Sequence, residues 1–270
     1  MSASYQIQKK CREDLQRIWD RPDQVSVIHY SCESFYGRRA SKSPRITSIA
    51  VRNLKTGQTK SFSIHKYGEL KGIAISKLSQ NFDKLETEML KQFFKFVKEK
   101  REYKWVHWNM RNENYGFHAI EHRLRVLGGK PFVIPEDKKF DLSKILSGIY
   151  GDGYIDDPKL EKLMEKNEIS KLNFKTGKEE ATLFKKRSYV ALHQSTLAKV
   201  DLISDLWQLA YMEKLKQKNG WRKVHGSSFS AFVDWLWAKP IFRFAMIILA
   251  ILGILTYANS FLRFLLTQIL

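Results

Sequence analysis

The densest block of chemically able residues runs from Trp105 to Phe117, WVHWNMRNENYGF. Its rings, amides and guanidinium offer the stacking faces and hydrogen-bonding edges that suit a nucleobase or nucleotide. Trp108, Asn109, Arg111, Asn112 and Tyr115 are the candidate ligand-binding residues. A second reading stays open: Trp105 and Trp108 pack on alternate faces of a strand, Asn109 caps the next segment, and Tyr115-Gly116-Phe117 starts a helix. The site reading is favoured because Asn109, Arg111, Asn112 and Asn114 fall at the C-terminal end of a strand, where open α/β sheets form ligand crevices. Further along, His193-Gln194-Ser195-Thr196 with Lys199 and Asp201 puts polar groups inside a long helix. His193 and Ser195 do not share a helix face, so a Ser–His nucleophile pair is not expected. A solvated face is the favoured reading of His193 to Lys199, with closure of a crevice against a sheet as the alternative.

Other chemistries lack their spacing. There is no GxxxxGK[ST] and no GxGxxG, and Gly148 to Gly153 follows a helix rather than a strand, so it reads as a connector. Two cysteines, Cys11 and Cys32, with seven scattered histidines, make neither a zinc site nor a disulfide framework. A reducing compartment is expected.

The elements that must position these residues emerge from periodicity. Residues 25–31 read as a buried strand. Residues 46–52 alternate and are followed by the turn signal Lys55-Thr56-Gly57-Gln58 and a second strand over 60–65. Helical spacing over 82–100 aligns Leu85, Met89, Phe93, Phe96 and Val97. A short aromatic strand at 104–108 precedes a helix over 114–127 that stops at Gly128-Gly129. Phe132-Val133-Ile134 reads as one more strand, and 141–150, 158–166, 179–187 and 188–217 read as helices. The order β-β-β-α-β-α-β predicts an α/β fold with a mixed sheet flanked by helices.

The chain has 270 residues, 47 basic against 28 acidic, for a net charge of +19. With 43% apolar and 13% aromatic residues it is expected to fold around a core rather than stay disordered. The basic residues gather in Arg38-Arg39-x-x-Lys42, Lys98 to Lys104, Arg123-x-Arg125, Lys138-Lys139, Lys185-Lys186-Arg187 and Lys214 to Lys223. Together they point to polyanionic partners: nucleic acid, nucleotides or anionic membrane lipid.

The end of the chain differs from the rest. Nineteen residues from Phe244 to Leu262 carry no charge, about 28 Å of helix and close to a bilayer's hydrocarbon thickness. Arg243 and Arg263 bracket them. Trp221, Trp235 and Trp237 beside Arg222, Lys223 and Lys239 read as an interfacial anchor that places the basic body on the cytoplasmic side. Phe229, Phe232, Val233, Leu236 and Trp237 recur as in a helix lying on a membrane. The alternative is a pair of buried C-terminal core helices. The N-terminus has no apolar run, so no cleavable secretory signal is expected. The expected organisation is an N-terminal helical segment over 1–24, a domain over 25–218, a juxtamembrane segment over 219–240 and a transmembrane anchor over 241–270.

The element order matches the ribonuclease H-like fold, and the layout over roughly residues 25–210 resembles the DEDD group of 3′–5′ exonucleases. In that group the first strand ends in Asp-x-Glu, a second strand ends in His-Asn with Asp four residues after the Asn, and a late helix carries His-x4-Asp or Tyr-x3-Asp. Here Ser31-Cys32-Glu33 puts Ser31 at the Asp and Glu33 at the Glu. His107-Trp108-Asn109 is followed by Glu113 at the second Asp, and the late helix offers Tyr189, His193 and Asp201 at neither spacing. By this resemblance Glu33, Glu113, Asp201 and His193 are the candidate catalytic residues. Glu33 and Glu113 are the candidate ligands for Mg2+ or Mn2+. Two-metal hydrolysis needs several converging carboxylates, and the departures deplete them.

The expected function is therefore a membrane-anchored, exonuclease-like domain that binds nucleic acid or a nucleotide, with catalysis degraded. By analogy of fold and anchor it would act as a sensor or effector in a bacterial defence or stress system. An active metal-dependent nuclease at the membrane and a membrane-perturbing protein that forms a homo-oligomer through its apolar segment are the alternatives.

Overall fold

The computed structural model describes residues 3–33, 43–111, 115–220, 237 and 240–269. The chain divides into two compact units, Met1–Lys218 and Asn219–Leu270.

The first unit is an α/β structure built on a five-stranded mixed sheet: β1 (Val25–Cys32), β2 (Ile46–Asn53), β3 (Thr59–Ser63), β4 (Lys104–His107) and β5 (Lys139–Asp141). The strand order is β3-β2-β1-β4-β5. β1 pairs antiparallel with β2 and parallel with β4, β2 pairs antiparallel with β3, and β4 pairs parallel with β5. Every residue of β1 is buried, as a central strand covered on both faces must be. The β2–β3 turn is set locally: Asn53 Oδ1 accepts the N–H groups of Lys55 and Thr56, and Gly57 sits at φ +72°, where a side chain would be strained.

Helices cover the sheet: α1 (Ala3–Trp19), α2 (Ile64–Leu70), α3 (Phe82–Glu99), α4 (Phe117–Val126), α5 (Leu142–Tyr150), α6 (Lys159–Lys166), α7 (Gly177–Lys185) and α8 (Tyr189–Tyr211). On one face α3 and α4 bury Leu85, Met89, Phe93 and Leu124 against Ile28, Ile49 and Trp105. On the other, α1, α5 and α8 close over Val25, Val27, Val106 and Phe140. This alternation of successive β1 side chains between two cores is the period of two that a pleated strand imposes.

Two element readings change. Phe132-Val133-Ile134 forms no strand; the fifth strand is Lys139–Asp141. Pro131 and Pro135 bracket the apolar triplet, and proline lacks the N–H a ladder requires. The long helix ends at Tyr211 rather than 217, with Glu213 at φ +57° just past its cap.

The second unit contains α9 (Pro240–Ile269). Its segment Ile241–Asn259 is long and apolar enough to cross a membrane, and no part of it is buried. The expected interfacial residues Trp221, Arg222, Lys223, Phe229, Phe232, Val233, Trp235, Leu236 and Lys239 lie outside the described residues.

Candidate functional site

β1 is longer than β4 at its C-terminal end: Ile28 is the last β1 residue paired with β4, opposite His107. Glu33 lies just beyond the end of β1, after a register shift between Ser31 and Cys32. Its carboxylate is buried and held by Arg45, whose main-chain N–H donates to Oε1 at 3.0 Å and whose Nη1 donates to Oε2 at 3.2 Å. Arg45 also reaches Asp83 at 2.6 Å and Glu86 at 3.4 Å on α3. Arg123 on α4 binds both oxygens of Glu86, at 2.9 and 2.6 Å, and meets Asp83 at 3.2 Å. Two guanidiniums thus thread three carboxylates. Burial pushes the fully enclosed Glu86 carboxyl above its usual range, while Arg45 and its neighbours pull the exposed Asp83 below it.

The other carboxylate expected here does not arrive. Asp201 pairs with Arg52 at 3.0 Å, and Arg52 stands opposite Val27 in the β1–β2 register. Glu33 is six residues further along, about 20 Å away at the rise of a strand. Asp201 and Glu33 are thus each held by a guanidinium of their own, Arg52 and Arg45. Glu113 and Asn112 lie outside the described residues. Among the described residues no three His, Cys, Asp or Glu side chains converge as a metal site.

His193 faces the sheet, not solvent. Its Nδ1 is 2.6 Å from Ser48 Oγ and its Nε2 is 3.2 Å from Ser61 Oγ, and burial drives its pKa down to about 3. Thr196 Oγ1 is 2.9 Å from Ser31 Oγ, and Lys199 pairs with Glu180 at 2.8 Å, with Ser195 donating to the same carboxylate at 2.7 Å. The solvated-face reading of this stretch is therefore overturned: His193 and Thr196 lie on small hydroxyls of the sheet, and Ser195 and Lys199 on the Glu180 carboxylate of α7. Both His193 nitrogens are engaged, and the ring bridges hydroxyls of the neighbouring strands β2 and β3.

The ligand-binding candidates separate into two groups. Trp108 packs in the core. Tyr115 stacks on Tyr30 with 4.7 Å between centroids and donates to the Tyr30 carbonyl at 3.3 Å. For these two the packing reading holds. Asn109 and Arg111 instead form a small assembly with Asp141, a residue that sequence reasoning did not select. Asn109 takes φ +54°, a left-handed conformation that Asn tolerates, and its N–H donates to Asp141 Oδ1 at 3.1 Å. Arg111 ion-pairs with Asp141 and donates to Asn109 Oδ1 at 3.0 Å. Asp141 caps α5 through the Ser143 and Lys144 N–H groups. That cap was legible, since Asp141 precedes the helical spacing of Leu142, Ile145, Leu146 and Ile149.

No protein-family model, no curated protein and no solved structure matches this chain. The geometry alone therefore bounds its chemistry. Around Glu33 the Arg45 guanidinium is a cation partner that neutralises carboxylates. Around Asp141 a loop of polar groups meets a cavity whose walls also include His107.

Proposed function

We propose that this chain is a membrane-tethered protein that binds single-stranded nucleic acid on a ribonuclease H-like body without cutting it. The observation that carries this reading is Arg45 on Glu33: the buried carboxylate that a divalent cation would need already pairs with a half-buried guanidinium. The sheet order, three antiparallel strands with two more added in parallel beside β1, supports the ribonuclease H-like assignment. The apolar span of α9 supports the tether; the basic body on the cytoplasmic side is the orientation that the tryptophans and basic residues before the span favour.

A strand-binding surface is supported by α3. Lys84, Lys91, Lys95 and Lys98 are exposed, and their spacing sets them in one row along the helix, about 21 Å long at 1.5 Å per residue. Among the described residues none of the four meets a carboxylate within ion-pairing distance, whereas Glu88 on the same helix is taken by Lys71 at 2.8 Å. An unneutralised row of ammonium groups tracks a phosphate backbone by counterion release.

The test uses the full chain in detergent micelles with fluorescently labelled single-stranded RNA and DNA, titrated over rising salt with chelator present. Binding should weaken linearly in log–log form. Replacing the four lysines by alanine should lower the slope by about 0.7 for each phosphate left without its ammonium partner. Binding that ignores salt, or that requires a divalent cation, would remove the reading.

A further inference from the structure

A cavity of about 600 Å3 opens beside the edge strand β5, between α1, α5 and the start of α4. That volume falls in the range of small-molecule sites. Its apolar wall is Ile7, Met110, Phe117, Phe140 and Ile145. The strand-binding reading makes no use of it.

The polar lining has a specific imbalance. Glu136 is taken by Lys139 at 2.6 Å, Asp14 by Arg17 at 3.4 Å and Asp141 by Arg111. Lys10 on α1 and Lys144 on α5 line the same cavity and meet no carboxylate among the described residues. Burial and then Asp14 push the Cys11 thiol up, and Lys144 and Lys10 oppose them from α5 and α1. The helices touch there: a Cβ added at Gly148 would stand 2.3 Å from Cys11 Sγ. Two unneutralised cations thus face one cavity from two elements in direct contact. Asp137 lines it as well, with no cation paired to it among the described residues.

His107 is an independent second sign. It is only 3% exposed, yet it lines the cavity. Its Nδ1 accepts the Met110 N–H at 3.1 Å, which leaves Nε2 as the ring's donor. Among the described residues that donor has no protein acceptor. Burial holds the pKa near 4, so the ring is neutral at physiological pH and offers its Nε2–H to an acceptor inside the cavity.

We infer that this cavity binds a nucleoside monophosphate, its phosphate on Lys10 and Lys144 and its base on the apolar wall. His107 Nε2–H donates to an acceptor on the ligand, and the Asp137 carboxylate accepts from a sugar hydroxyl or an exocyclic amine. The site is separate from the α3 lysine row, so a small nucleotide and a strand can be bound at once.

The test is isothermal titration of the full chain in detergent with AMP, UMP, adenosine and inorganic phosphate. AMP or UMP should bind, and the double variant Lys10→Ala/Lys144→Ala should weaken binding by about tenfold or more. His107→Asn keeps an acceptor for Met110 N–H but its shorter amide cannot place a donor at the Nε2 position, and it should weaken binding with its melting temperature nearly unchanged. Lys91→Ala/Lys95→Ala should leave nucleotide binding intact, which separates this site from strand binding. Two results would overturn the inference: no heat of binding for either nucleotide at about 1 mM, or inorganic phosphate or adenosine binding as tightly as AMP.

Discussion

Arg45 closes on Glu33 twice, donating its main-chain N–H to Oε1 at 3.0 Å and its guanidinium to Oε2 at 3.2 Å. The same guanidinium meets Glu86, which is fully enclosed. A buried ion pair adds little net stability, because desolvation offsets the attraction, but breaking one strands a charge in the core. Arg45→Met is therefore expected to destabilise the protein by about 3 kcal/mol or more. Asp83→Asn, at the exposed corner of the same network, should cost well under 1 kcal/mol. Chemical denaturation of the two variants checks the contrast, and equal costs would mean that the network is not buried.

Acid should unfold the protein through its enclosed imidazoles. The folded-state values of about 3 for His193 and about 4 for His107 lie below the ordinary 6.5. In that window the unfolded chain binds more protons, so stability is full above about pH 6.5 and falls as the pH drops. Each ring removes up to about 1.4 kcal/mol per pH unit there. Glu86, shifted upward, acts in the opposite sense just above its own ordinary value. Denaturation between pH 7 and pH 4 should therefore show a steep loss that His193→Gln makes shallower by one titration.

Which parts of this structure were legible in the chain depends on the range of the interaction. The sheet's strands β1 to β4 and the helix over 82–99 emerge from local periodicity, because each element's own residues carry its apolar face. Asp141 as a cap was equally local. Arg45 on Glu33 was not: the two stand twelve residues apart, no periodicity encodes their pairing, and Arg45 lies in no basic cluster. The placement of Asp201 failed for a similar reason. Motif spacing treats helix and strand as neighbours, whereas the direction in which α8 crosses β1 decides which end of the strand each helical residue reaches. Polar residues on α8 looked solvated because alternation cannot reveal that the facing strands present Ser31, Ser48 and Ser61.

The contact of α1 with α5 depends on the missing side chain at Gly148. Gly148→Val should push Cys11 and its helix away, costing about 1–3 kcal/mol as overpacking does. A thermal melt reads the loss, and Gly177→Val at an open position on α7 is the control.

The tether predicts a fractionation result. The full chain should stay with membranes after carbonate extraction, and removal of 241–270 should release it. A truncated chain that still pellets with membranes would move the attachment to the basic body.

The most direct measurement is of the bond that would be cut. A labelled single strand is incubated with the full chain in micelles and with Mg2+ or Mn2+, and strand length and binding are followed together. The strand should remain full length while bound, with Glu33→Gln indistinguishable from the parent. Metal-dependent shortening from the 3′ end that disappears in Glu33→Gln would contradict the assignment of Arg45 as the resident cation.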